Sequence, residues 1–124
     1  MSMKAYLPKS FQREADSNGI SDEDCREAIR RAESGLIDAD LGQGLIKQRI
    51  SRGNQGAARG SRAVVFYRRG KVAVFLHIFP KSKKANLTKS ELAMYSRAGQ
   101  ELVKLTDKEL TALSARRGWR ELEI

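Results

Sequence analysis

Lys47 and Arg49 stand two residues apart in an alternating apolar stretch, so on an extended chain they project from one face, beside Leu45. Arg62 opens the next such stretch, and Lys81, Lys83 and Lys84 follow the third, just past Pro80. Lysines and arginines gathered in this way suit a phosphate backbone, and they can also do chemistry on it. Metal-free RNA cleavage requires three things: removal of a proton from the 2′-hydroxyl, stabilisation of the charge gathering on the phosphate, and protonation of the departing 5′-oxygen. Crowding of like charges makes a neutral lysine base more accessible, and arginine clamps phosphoryl oxygens through two N–H groups while staying charged. The same side chains also suit plain phosphate contact, and charge alone leaves both readings open.

The distribution of charge supports a polyanionic partner. From Leu41 to Ser90 there is no Asp or Glu, against 12 Lys and Arg. Residues 1–40 hold 6 basic and 9 acidic side chains, residues 41–100 hold 13 and 1, and residues 101–124 hold 5 of each, which together give the overall +9. An acid-free block between ordinary flanks is a local electrostatic footprint of the kind found on nucleic-acid surfaces.

Other chemistries lack their parts. With one histidine, one cysteine, no Gly-Lys-Ser or Gly-Lys-Thr loop and no carboxylate inside the basic block, the sequence predicts no metal site and no cofactor. The glycines of Gly53 to Gly60 do not form a dinucleotide fingerprint. Alternation in the third strand puts Ala73, Phe75, His77 and Phe79 on one face and Val72, Val74, Leu76 and Ile78 on the other. His77 is accordingly read as a core or cleft-edge residue rather than a general base. Tyr67 and Tyr95 fit core positions as well as base stacking. Cys25, at helical spacing with Ala28, Ile29, Ala32 and Leu36, reads as a small core residue. No apolar run approaches a membrane span of roughly 18 residues and no secretory h-region opens the chain, so the expectation is a cytoplasmic protein with no membrane partner.

Several elements must position the basic residues. Met3 to Leu7 reads as an edge strand, and Pro8 opens a helix to about Ser17 that Asn18 and Gly19 end. Ser21 with Asp24 caps a second helix running to Gly35. After the turn-rich Asp38 to Gly44 the period becomes two: Gly44 to Ile50, Ser61 to Tyr67 and Lys71 to Phe79 are predicted strands, with Arg69 and Gly70 linking the last two. The 10 residues from Ser51 to Gly60 are long for a hairpin loop, which marks them as functional or disordered. Thr88 with Glu91 opens a helix with Leu92, Tyr95, Leu102 and Leu105 inward, and Thr106 with Glu109 opens a shorter one that Gly118 stops. Trp119 to Ile124 is either a last strand or a docking segment. The prediction is a single α+β domain over 1–124, its core about 3–105. A small antiparallel sheet carries a helical hairpin on one face, with a C-terminal helix and tail over 106–124.

This order, with Lys47-x-Arg49 ending the first meander strand, Gly60-Ser61-Arg62 opening the second, and Phe79-Pro80-Lys81-Ser82-Lys83-Lys84-Ala85-Asn86-Leu87 leaving the third, resembles the RelE/ParE superfamily of bacterial toxins, and more narrowly its RelE-like branch. Gly35-Leu36-Ile37-Asp38-Ala39-Asp40-Leu41-Gly42 is similar too. The resemblance implies a microbial RNase fold that cleaves mRNA in the ribosome and is silenced by a cognate antitoxin. That partner is expected to lay acidic or apolar segments across the basic face or to displace a terminal helix. By position, Lys47 with Arg49 would activate the 2′-hydroxyl, Arg62 would stabilise the phosphate, and Lys81 or Lys83 would assist the leaving group. Arg52, Arg59, Lys83, Lys84 and Asn86 are the candidate RNA contacts. Two alternatives stand beside the nuclease: a ParE-like inhibitor that binds DNA gyrase, and a degenerate toxin acting as an RNA-binding, ribosome-binding or regulatory protein. Convergence of Lys47, Arg49, Arg62 and Lys81 on one phosphate would favour the nuclease.

Overall fold

The computed structural model describes residues 3–51, 61–80 and 87–124. Its elements run β1 (Lys4–Leu7), α1 (Lys9–Ser17), α2 (Asp22–Glu33), β2 (Ala39–Gly42), β3 (Leu45–Ile50), β4 (Ser61–Arg68), β5 (Val72–Pro80), α3 (Lys89–Val103), α4 (Asp107–Arg117) and β6 (Arg120–Glu123). This is the α+β architecture expected, built on a larger sheet. Six strands lie in the order β2-β3-β4-β5-β1-β6.

The antiparallel meander β3-β4-β5 is present as predicted. Its surroundings differ in the placing of β1 and in the stretch before β3. β1 pairs parallel with β5 and antiparallel with β6, so the sheet is mixed and β1 lies inside it rather than at its edge. The tail is thus a strand, and it covers the side of β1 that would otherwise be open. Within the stretch read as turn-rich, Ala39–Gly42 forms a strand on β3 and the turn contracts to Gln43 and Gly44.

Both sheet faces are covered by helices, whereas the sequence assigned the helical hairpin to one face and left the C-terminal helices unplaced. The cause lies in the strands, which are apolar at both parities, as in Ala63-Val64-Val65-Phe66. Ala5, Leu7, Ile46, Val65 and Phe75 pack against Phe11 of α1 and Cys25 and Ile29 of α2. On the opposite face Tyr6, Leu45, Val64, Phe66 and Val74 pack against Leu102 of α3 and Leu110 of α4. Capping boxes at Ser21/Asp24, Thr88/Glu91 and Thr106/Glu109 fix where α2, α3 and α4 begin, each satisfying two orphan backbone groups.

A bulge in β5 overturns the strict alternation read for that strand. Val64 pairs with His77 but Val65 pairs with Phe75, which leaves Leu76 as the extra residue. Ala73, Phe75 and Ile78 therefore share the α1/α2 core, while Val74 and Phe79 join the α3/α4 core. Two further expected core residues lie outside. Leu36 is 60 % exposed because α2 stops at Glu33, before that side chain can continue the helical face. Leu92 is 37 % exposed, in the first turn of α3, ahead of the buried face that Gly99 and Leu102 form.

Gly99 sets how closely α3 approaches the β2–β3 turn. A Cβ there would meet the Gln43 carbonyl oxygen at 2.6 Å and Leu45 Cγ at 3.1 Å. Alanine is the better helix former by about 1 kcal/mol, but displacing a backbone carbonyl costs about 1–3 kcal/mol. Gly99→Ala is therefore expected to lower stability by up to about 2 kcal/mol in urea unfolding. An unchanged or raised midpoint would show that the turn yields freely.

Cys25 is fully buried, and that burial, reinforced by the charges of Asp22 and Asp24, pushes its thiol up to about 12. Unfolded thiols titrate near about 8.5, so the shift favours the folded state fully below that value and the advantage is lost as pH climbs toward the folded value. Native protein at pH 8 is expected to resist a disulfide-exchange reagent that labels the urea-unfolded chain at once. Equal labelling rates would contradict the burial.

Candidate functional site

Strand register assembles the site. Lys47 pairs with Val64, which pairs with His77, and in the neighbouring row Arg49 pairs with Arg62, which pairs with Phe79. Directly paired residues share a face, so Lys47, Arg49, Arg62, His77 and Phe79 start from one side of the sheet. One step further, Ile50, Ser61 and Pro80 form a third row. The described strand ends beside Arg62 are thus the points from which residues 52–60 and 81–86 depart.

Lys47 and Arg62 meet on a carboxylate absent from the predicted site. Asp38 Oδ2 accepts the Arg62 Nε–H at 3.1 Å and lies 3.8 Å from Lys47 Nζ. The like-charge crowding expected around Lys47 is therefore offset by an acid from just outside the acid-free block. Arg62 also donates from Nη1 to the Ser61 carbonyl at 3.3 Å, and its side chain is only 10 % exposed. A guanidinium that deep in protein needs a counter-charge, which Asp38 supplies.

Asp38 is itself held from beneath. Gln48, pointing to the face opposite Lys47 and Arg49, is 1 % exposed. Its Nε2 donates to the carbonyls of Ala28 and Leu36, both at 2.9 Å, and its Oε1 accepts the Asp38 N–H at 3.2 Å. One buried amide thus ties α2, the loop after it and β3 together. Gly35, at φ +89°, turns the chain out of α2 into that loop. The sequence offers a signal for Gln48, a polar residue at the core-facing position between Ile46 and Ile50. For Asp38 the signal is weaker, a carboxylate near the border of the basic block.

Arg49 is placed differently from Lys47 and Arg62. It lines a shallow cavity of about 160 Å³ with Arg31, Leu36, Ile37, Asp38 and Gln48, and its Nε is buried without a hydrogen-bond partner among the described residues. The structure therefore joins Lys47 and Arg62 through Asp38 and sets Arg49 beside them, facing α2. Arg52, Arg59, Lys81, Lys83, Lys84 and Asn86 lie outside the described residues.

His77 occupies the cleft-edge position read for it. Nδ1 sits 2.8 Å from Glu14 Oε2 and Nε2 3.8 Å from Glu91 Oε2, while the ring stacks on Tyr95 and Phe79 at centroid distances of 5.1 and 5.8 Å. Burial, with the charges of Glu14 and Glu91, pushes the Tyr95 phenol up to about 12, so it is a neutral hydroxyl at physiological pH. Tyr67 serves the core instead: its hydroxyl donates to Glu33, and burial followed by that bond raises its pKa. Not every cation of the basic block belongs to the cluster. Arg68, at the far end of β4, bonds Asp107 at 2.7 Å and the Leu105 carbonyl at 2.9 Å, tying the sheet to the α3–α4 junction.

A larger groove of about 590 Å³ runs between α1 and α3, lined by Arg13, Glu14, Asn18, Leu76, Met94 and Tyr95. It contains neither Lys47 nor Arg62, the two cations that converge on Asp38. Among the described residues no group of His, Cys, Asp or Glu is arranged to hold a metal ion, and no helix is long and apolar enough to cross a membrane.

Comparison with known proteins adds a family to this geometry. Residues 3–122 match the family described as the RelE toxin of the RelE / RelB toxin-antitoxin system. No curated protein matches the chain.

Proposed function

The chain belongs to the RelE toxin family of toxin-antitoxin systems, and we propose that it is a metal-independent endoribonuclease that cleaves mRNA on the ribosome. A cognate antitoxin would silence it in the cytoplasm. The observation that carries this reading is the meeting of Lys47 and Arg62 on one carboxylate, beside the strand ends that lead to the remaining basic residues.

In this reading Lys47, acting as the neutral amine once its own proton has left, takes the proton from the 2′-hydroxyl, with Arg49 in the neighbouring row. The 2′-oxygen attacks the neighbouring phosphorus, and the bond to the 5′-oxygen breaks. Arg62 donates to the phosphoryl oxygens, where negative charge builds up in the transition state. Lys81, which follows the end of β5, delivers a proton to the departing 5′-oxygen. The products are a 2′,3′-cyclic phosphate and a 5′-hydroxyl, with no metal and no cofactor required. So small a set of groups gains most from a substrate held in line for attack, which is what a ribosome presenting a fixed codon provides.

The test is a reconstituted one. Purified protein is added to ribosomes stalled on a defined mRNA, and to DNA gyrase in a parallel supercoiling assay. Cleavage inside the ribosome-protected codon, with supercoiling unaffected, is the expected outcome. Intact mRNA with blocked supercoiling would transfer the protein to the ParE-like alternative.

A further inference from the structure

We propose that Asp38 is a positioning residue for Arg62, holding the guanidinium in one orientation so that its outer N–H groups face the scissile phosphate. The inference rests on the nuclease reading for its catalytic consequence and on the geometry alone for its structural one. A guanidinium has five N–H groups. Asp38 takes the one on Nε at 3.1 Å and the Ser61 carbonyl takes one on Nη1 at 3.3 Å. The remaining N–H groups, on Nη1 and Nη2, have no partner among the described residues and are the ones that can reach two phosphoryl oxygens.

Asp38 can act as a fixed point because its own backbone is pinned by Gln48, which is anchored in turn on Ala28 and Leu36. The chain of contacts runs from the Ala28 carbonyl of α2 through the buried Gln48 side chain to the Asp38 backbone, and from the short Asp38 side chain to Arg62. An arginine on a long stem loses about 2 kcal/mol of rotamer freedom on being ordered, and here that loss is met on folding rather than during the reaction.

The carboxylate has a second, opposite effect: it repels an incoming phosphate. Removing it should leave anion binding intact or stronger while making cleavage slower, a split that simple loss of structure does not produce. A different role, direct acceptance of the 2′-proton by Asp38, is separated by the conservative variant. Asparagine keeps an oxygen for Arg62 Nε–H but is no base.

The experiment compares the full-length wild type with Asp38→Ala and Asp38→Asn in three measurements: solvent exchange of the Arg62 Nε–H by NMR, titration with inorganic phosphate, and single-turnover mRNA cleavage on the ribosome. Slow Nε–H exchange is expected in the wild type and in D38N and fast exchange in D38A. Phosphate affinity should be equal or higher in D38A. Cleavage should fall about 10- to 100-fold in D38A and stay within about threefold in D38N, since a small misplacement of a catalytic group costs rates of that order. Unchanged Nε–H exchange in D38A would overturn the proposal, and so would D38N as slow as D38A. If the wild type does not cleave, the nuclease reading fails, and the Nε–H and phosphate measurements still decide whether Asp38 positions Arg62.

Discussion

Arg62→Ala is expected to slow mRNA cleavage by about 10²- to 10³-fold while changing RNA affinity by less than about threefold. That is the scale on which removal of one donor from an oxyanion-stabilising site acts, because the interaction is made most strongly in the transition state. RNA affinity comes from many phosphate contacts, each small, so losing one is nearly silent in binding. Arg62→Lys should recover little. Lysine keeps the charge but not the planar fork that lets one face bond Asp38 while the other faces a phosphate. Single-turnover cleavage alongside filter binding checks the pair of effects. Parallel loss of binding and cleavage would reduce Arg62 to a simple phosphate contact.

The second large effect concerns stability. Gln48→Leu preserves volume but strips the partners from the Leu36 carbonyl and the Asp38 N–H and removes one of the Ala28 carbonyl's bonds. The two groups belong to Leu36 and Asp38, which are exposed, so water replaces part of what is lost and each costs nearer the lower end of about 1–3 kcal/mol, while the added apolar burial returns some of it. A net loss of about 1–2 kcal/mol is expected in urea unfolding. Cleavage should fall with it even at temperatures where the variant remains folded, because Asp38 no longer has its anchor. Full activity in a folded Gln48→Leu variant would separate Asp38 placement from the buried amide.

Much of this arrangement was legible in the sequence, and the exceptions have physical causes. Helix starts were readable because capping boxes are local chemistry: Ser21 with Asp24, Thr88 with Glu91 and Thr106 with Glu109 all form as the spacing predicts. The meander and the common face of Lys47 and Arg49 were readable because the period of two fixes them, whereas the place of Arg62 on that face follows from the strand register. The bulge at Leu76 was not, since a bulge is decided by the partner strand and leaves no mark in one strand's alternation. The inward place of β1 was hidden for a similar reason: its neighbours, β5 and β6, are remote in the chain. Asp38 escaped because counting charge along the sequence separates it from Arg62 by 24 positions, whereas the fold brings them within hydrogen-bond distance.

The central claim is that the Lys47–Arg62 cluster breaks RNA, and induced expression of the wild type and Arg62→Ala in bacteria, with growth and mRNA 5′-ends followed in the same cultures, tests it most directly. The account predicts growth arrest with new, frame-biased mRNA ends in the wild type, both lost in the variant. Growth arrest with mRNA left intact would contradict it.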